Sequence, residues 1–327
     1  MHAALIRRLS PLVLVALLAG CAARFDLQGH RGARGLAPEN TLPAFAKALE
    51  IGVTTLELDT AITLDGVVVV SHDRGLDPNF ARGPDGRWIE KHGPSIHALD
   101  YAELVRYDVG RLKPGTAYAA QFPEQVAIDG TRIPRLAEVF ALAETSGHRS
   151  VRFNIETKVS PLAPDETLPP EAFARKVIAE IRRAGVASRS TLQSFDWRTL
   201  QVAQKIAPEI ATVYLTSQQK FGDNVCSGPA AGSAAIAVAD CGPSAWTAGF
   251  QLKDHGSVPR MVRAAGGRTW SPFFLDIDAA KVKEAHDLGL RVIVWTVNDP
   301  ADIQRMLDLG VDGLITDRPD LAKKIVK

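Results

Sequence analysis

The chain has 327 residues, of which 46% are apolar, 23% charged and 6% aromatic. That composition fits one large globular domain or two smaller ones, and it excludes collagen, coiled coil and wholesale disorder. Thirty-eight lysines and arginines against 37 acidic residues leave a formal charge of +1 with no local basic patch, so no nucleic-acid partner is expected, and three cysteines are too few for a disulfide scaffold.

In chain order, the first segment reads as an address. Arg7 and Arg8 precede an apolar run over residues 11–19, and Gly20 and Cys21 follow. A charged start, a short apolar core and small residues at the end mark an export signal. A core of about ten residues is too short to span ~30 Å of hydrocarbon as a helix. The string Leu18-Ala19-Gly20-Cys21 resembles a bacterial lipoprotein signal, in which the cysteine becomes the lipidated first residue; the alternative is a plain secretory signal. The expected organisation is a signal peptide over 1–20, a short lipidated tether over 21–24 and a periplasmic body over 25–327. Ala22 after the cysteine favours the outer membrane, by resemblance to Gram-negative lipoproteins. Cys226 and Cys241 then remain either as a disulfide or as two buried thiols. A bridge closing their loop would contribute roughly 3 kcal/mol on the chain-entropy model.

Beyond residue 25, strand-like and helix-like segments alternate. Strands are predicted at 25–28, 55–58, 67–70, 151–155, 191–192, 212–215, around Trp270, at 292–295 and at 314–316. Amphipathic stretches lie at 42–52, 171–185, 278–289 and 300–310, each ending in glycine as helix C-termini do. The 67–70 run follows an Asp65-Gly66 turn, so it is expected to fold back on the preceding strand. Eight staves remain, and the length suits an α/β protein of the (β/α)8 TIM-barrel type. A doubly wound sheet is the alternative, weakened because no Gly-x-Gly-x-x-Gly follows the first strand. Residues 75 to about 132 break the rhythm with Gly, Pro, Arg and Asp and no clear strand; they read as an insertion over the C-terminal mouth.

Polar residues collect at the ends of the predicted strands: Gly29-His30-Arg31-Gly32, Glu57-Leu58-Asp59, His72-Asp73 and Asn154-Ile155-Glu156-Thr157-Lys158. In a parallel barrel these ends converge on one face. Glu57 and Asp59 share one side of a strand, as do Glu156 and Lys158 on the next stave. Three carboxylates in one mouth repel unless a cation sits among them, and an all-oxygen set suits Mg²⁺ or Ca²⁺. A web of salt bridges with Arg31 and Lys158 is the structural alternative. His30 and His72 beside such an ion suggest a general acid and general base, and the two cations suit a phosphate. Together they describe phosphoester cleavage.

These strings, in this order, resemble the glycerophosphodiester phosphodiesterase family. To them are added Pro38-Glu39-Asn40-Thr41, 133–138, Ser194-Phe195, 294–298 and 312–317, so that the resemblance spans residues 29–317. It implies a (β/α)8 barrel that releases glycerol 3-phosphate and an alcohol from a small-molecule diester. On matching positions it implies His30 and His72 as the acid/base pair and Arg31 as a phosphate ligand supported by Lys158. Glu57, Asp59 and Glu156 become ligands of one Ca²⁺ or Mg²⁺, and Trp295 lines the mouth, where the residues alone read it equally as core. Glu39 is read either as a ligand of the ion or of hydroxyls, or as a first-turn helix residue. Arg135 stands where a smaller polar residue is usual and is expected near the surface. The 75–132 segment resembles the insertion of periplasmic members.

Two rival readings differ in what they require. A phospholipase-type enzyme acting on membrane lipid needs an exposed apolar collar, for which the insertion offers Phe80, Trp88, Tyr101 and Tyr118. A catalytically dead, surface-tethered binding lipoprotein has no need of both histidines and all three carboxylates.

Overall fold

The computed structural model describes residues 25–91, 93–228 and 231–326. The expected signal peptide, Cys21 and the tether over 21–24 lie outside the described residues. The strands are β1 (Asp26–Gly29), β2 (Thr55–Ile62), β3 (Val68–Val70), β4 (Arg152–Thr157), β5 (Ser190–Ser194), β6 (Ala211–Thr216), the two-residue pair β7 (Gln218–Gln219) and β8 (Gly222–Asp223), β9 (Thr269–Pro272), β10 (Arg291–Val294) and β11 (Gly313–Thr316). The helices are α1 (Leu42–Ile51), α2 (Tyr101–Leu104), α3 (Ala117–Gln121), α4 (Leu136–Thr145), α5 (Pro170–Arg183), α6 (Trp197–Ile206), α7 (Leu252–His255), α8 (Val258–Ala264), α9 (Ala279–Asp287), α10 (Pro300–Asp308) and α11 (Pro319–Ile325).

Eight strands close a parallel ring in the order β1-β2-β4-β5-β6-β9-β10-β11, with β11 returning to β1. Closure excludes the doubly wound alternative and gives a (β/α)8 barrel. β3 pairs antiparallel with β2 from Thr60↔Val70 to Ile62↔Val68, the hairpin expected from Asp65-Gly66. α1 shows how the sequence sets an element: the Thr41 hydroxyl caps Ala44 N, Pro43 sits in the first turn, and Gly52 ends the helix at φ +84°.

Side-chain alternation splits the barrel into two layers. Leu56, Leu58, Phe153, Tyr214 and Leu314 face outward into the main core shared with the helices. The inward face is polar on one side and apolar on the other. Gln28, Glu57, Asn154 and Gln193 meet in the interior, with Asn154 to Gln28 and Gln193 to Glu57 each reaching past an intervening strand and Asn154 to Gln193 joining neighbours. By alternation, Val213, Leu215, Ile293 and Ile315 fill the opposite half.

Residues 75–132 hold α2, α3 and a single 3-10 turn at Ile96–Ala98. A separate apolar cluster ties them to the β2–β3 hairpin, with Ala61 and Val69 packed against Leu76, Ile96, Leu104 and Val109. Their far end lies against the C-terminal face: Gln125 Nε2 donates to Arg34 O at 2.7 Å, and Arg318 pairs with Glu124 at 2.6 Å. Arg135 is half exposed, starts α4 and pairs with Glu138. Cys226 and Cys241 are joined by a disulfide with Cα atoms 5.0 Å apart, which pins the long loop after β6. Among the described residues no helix is long and apolar enough to cross a membrane.

Candidate active site

His30, Arg31, Glu57, Asp59, His72, Glu156, Lys158 and Trp295 all line one cavity of about 210 Å³ at the C-terminal ends of the strands. Parallel registration explains the carboxylates. Asp59 on β2 lies opposite Glu156 on β4, with Glu57 one inward position below. Ligand oxygens of the three fall within 4.8 Å of one another, and all three side chains are buried.

The charges around this trio are uneven. Burial and the neighbouring Asp59 push Glu57 well above the usual carboxylate range, with the Arg31 N–H opposing. Burial also lifts Glu156 to about 7, against Lys158. Burial acts on Asp59 too, yet Lys158, His72 and Arg31 outweigh it and hold that carboxyl low. Lys158 Nζ lies 2.9 Å from Glu156 and 3.7 Å from Asp59. Three buried oxygen donors, two of which resist ionising, suit a hard divalent cation that would discharge them; zinc would call for imidazole or thiolate. Arg31 Nε is buried 3.4 Å from Asp59 Oδ2 without a hydrogen bond of good geometry, which leaves an N–H donor beside the trio that suits an anionic oxygen.

Arg31 adopts φ +51°, a left-handed conformation rare for a side chain of its size. This turns its N–H onto Glu57 Oε2 at 2.9 Å and its guanidinium onto Glu39 at 2.6 Å. Gly32 follows at φ +87°, where a Cβ would lie 2.6 Å from the Ala44 backbone carbon, so the turn requires glycine. Glu39 accepts from Arg31 and from Tyr118 of α3 and is not one of the clustered trio.

Each histidine is held through Nδ1 by a carboxylate: His30 by Asp317 at 2.7 Å and His72 by Asp73 at 2.8 Å. A carboxylate only accepts, so Nδ1 carries the proton and Nε2 keeps a free lone pair. Burial, with the Arg34 cation, lowers His30 to about 4 against the pull of Asp317. Burial, Arg31 and Lys158 lower His72 well below its usual value. Burial would raise Asp317, but Arg34 and His30 keep it ionised; Arg34 and Asn298 complete its hydrogen bonds.

Three braces were not assigned from the sequence. Asn40, at φ +55°, donates to Asp59 Oδ2 at 2.9 Å. Asp317 orients His30, and Tyr118 reaches Glu39 from the insertion. Asn40 and Asp317 stand within the strings read at 38–41 and 312–317, but nothing local says which side chain each touches. Trp295 lies just past β10; its ring packs edge-on to Phe195 at 5.2 Å, and its Nε1 donates to Ser271 O. A second cavity of about 430 Å³ shares Glu156, Lys158, Phe195 and Trp295 with the first and extends along Val159, Leu162, Phe221 and Trp246.

Comparison with known proteins agrees with this geometry. The model of the glycerophosphoryl diester phosphodiesterase family matches residues 30–321. A putative glycerophosphoryl diester phosphodiesterase from Silicibacter pomeroyi is 35% identical with a TM-score of 0.79, covering 93% of this chain and 94% of that one. A glycerophosphodiester phosphodiesterase from Caldanaerobacter subterraneus is 28% identical over 299 residues, 91% of this chain and 96% of its own length. A phosphodiesterase from Oleispira antarctica, solved with the product sn-glycerol-3-phosphate, shares the fold at 21% identity and a TM-score of 0.62, over 92% of this chain and 94% of that one. On the barrel, the site and these matches, the chain is an enzyme that belongs to the glycerophosphoryl diester phosphodiesterase family.

Proposed function

We propose that the protein hydrolyses glycerophosphodiesters to sn-glycerol 3-phosphate and an alcohol with the help of one divalent cation, Ca²⁺ or Mg²⁺. The observation that carries this reading is the meeting, in one cavity, of two carboxylate-held imidazoles with the Glu57, Asp59 and Glu156 cluster. Those three carboxylates would hold the cation, which when bound supplies positive charge to polarise a phosphate oxygen. Arg31 and Lys158 bind the phosphate, and Trp295 and Phe195 line the cavity beside it. One histidine takes the proton of the attacking hydroxyl at Nε2; the other must first take up a proton from solvent at its own Nε2, which it then gives to the departing alkoxide.

A water-soluble diester fits better than a membrane lipid. The insertion's aromatics are part-buried and covered by neighbours: Phe80 by Tyr118, Tyr118 by Phe122, Trp88 by Arg82 and Tyr101 by Arg135. Those aromatics form no exposed collar; among the described residues, the exposed apolar side chains lining the mouth are Leu162 and Phe221, outside the insertion, two residues and no ring around the entrance. The test is release of sn-glycerol 3-phosphate from glycerophosphocholine with Ca²⁺, with Mg²⁺ and after chelation. Metal-dependent release is expected; no product with either ion would sink the reading, and turnover indifferent to chelator would remove the cation.

We infer further that Cys21 carries a lipid that holds the body on the periplasmic face of the outer membrane. Support comes from Arg7, Arg8, the apolar run over 11–19 and the small pair before the cysteine. The Cys226–Cys241 disulfide suits an oxidising compartment.

A further inference from the structure

Inside the barrel, below the cavity, a line of side chains has its direction fixed by its two ends. Gln28 Nε2 donates to Asp26 Oδ2 at 3.0 Å, and Gln193 Nε2 donates to Glu57 Oε1 at 2.6 Å. With Glu57 ionised, as it would be when it ligates the cation, both ends accept only, so each glutamine must turn its NH₂ outward to an acidic end and its oxygen inward. Between the two inward oxygens sits Asn154, whose Nδ2 donates to Gln28 at 2.9 Å and to Gln193 at 2.8 Å. Its own oxygen accepts from the Thr191 hydroxyl at 2.8 Å. Gln28, Asn154 and Gln193 are 3%, 1% and 1% exposed, so no bulk water stands in for a missing donor.

We propose that Asn154 is a positioning residue that fixes Glu57, through Gln193, in the orientation needed to ligate the divalent cation. The proposal rests on Glu57 being one of the cation's ligands. Only a residue with two N–H donors completes both halves of the line, and asparagine supplies them on one short side chain. Glu57 then accepts Gln193 on one oxygen and the Arg31 N–H on the other, and each oxygen keeps a lone pair for the ion. Partners of this kind, one bond removed from the metal, govern how firmly a ligand is presented.

Asn154→Asp tests this with almost no change in shape. It removes both donors, draws the Gln193 NH₂ toward position 154 and turns the Gln193 oxygen onto Glu57. Calcium titration calorimetry on the purified protein should show Ca²⁺ dissociation constants raised roughly 10- to 100-fold. Gln193→Met, which removes the donor to Glu57, should act in the same direction and serves if Asn154→Asp does not fold. Gln28→Leu breaks the arm that leads away from the site; it should lower thermal stability yet leave Ca²⁺ affinity unchanged. Affinity unchanged in both Asn154→Asp and Gln193→Met, or weakened equally in Gln28→Leu, would overturn the proposal. Glu57→Gln separates the two failures. If it weakens Ca²⁺ binding while Asn154→Asp does not, only the positioning role falls; if it changes nothing, the ligand role falls with it.

Discussion

His30 and His72 reach the cavity from different supports, one strand end and one hairpin end, and each is steadied by its own carboxylate. Removal of either imidazole deletes a proton carrier without touching the core. His30→Ala and His72→Ala should each lower turnover by about 10² or more with melting curves intact; near-normal rates in either would end the acid/base assignment. His30 also carries a pH signature. Its folded value is about 4 against 6.5 when exposed, so between those values the unfolded chain binds the extra proton. Stability is therefore lost as pH falls from 6.5 to 4. His30→Asn removes that term, so its denaturant midpoint should decline less over this window than that of the wild type. Parallel declines would show that His30 is not held neutral by the fold.

At the scale of elements, what the sequence made legible was whatever is periodic or punctuated. β2 and β4 announced themselves by apolar residues alternating with Glu57, Asp59, Glu156 and Lys158, and α1 by Thr41, Pro43 and Gly52. The 75–132 segment stayed illegible because its apolar side chains serve a small separate cluster, so that α2 and α3 show too few turns for a period to register. The polar line inside the barrel was hidden for another reason: Gln28, Asn154 and Gln193 look like solvent-facing residues until strand closure brings β1, β4 and β5 to one axis. Helix α6 offers a test of the outer layer. Trp197 is fully buried and packs edge-on to Tyr214 at 4.8 Å, so Trp197→Ala should cost about 3–5 kcal/mol in chemical denaturation. A loss under about 1 kcal/mol would mean that the helix layer is not part of the cooperative core.

For the molecule as a whole, the chain's direction through the barrel has a meaning beyond catalysis. β1 starts with Asp26 at the end of the barrel opposite the cavity, and Cys21 stands only a few residues before it. Cys21→Ser should shift the protein from the membrane fraction to the soluble one; continued sedimentation with membranes would refute the lipid tether. A stretch that short reaches at most about 18 Å when fully extended. A lipid there would plant the floor of the barrel on the bilayer and leave the mouth looking away from it. An enzyme so tethered would stand with its back to the membrane: it would draw on diesters already free in the surrounding water, and its rate should be indifferent to added lipid vesicles.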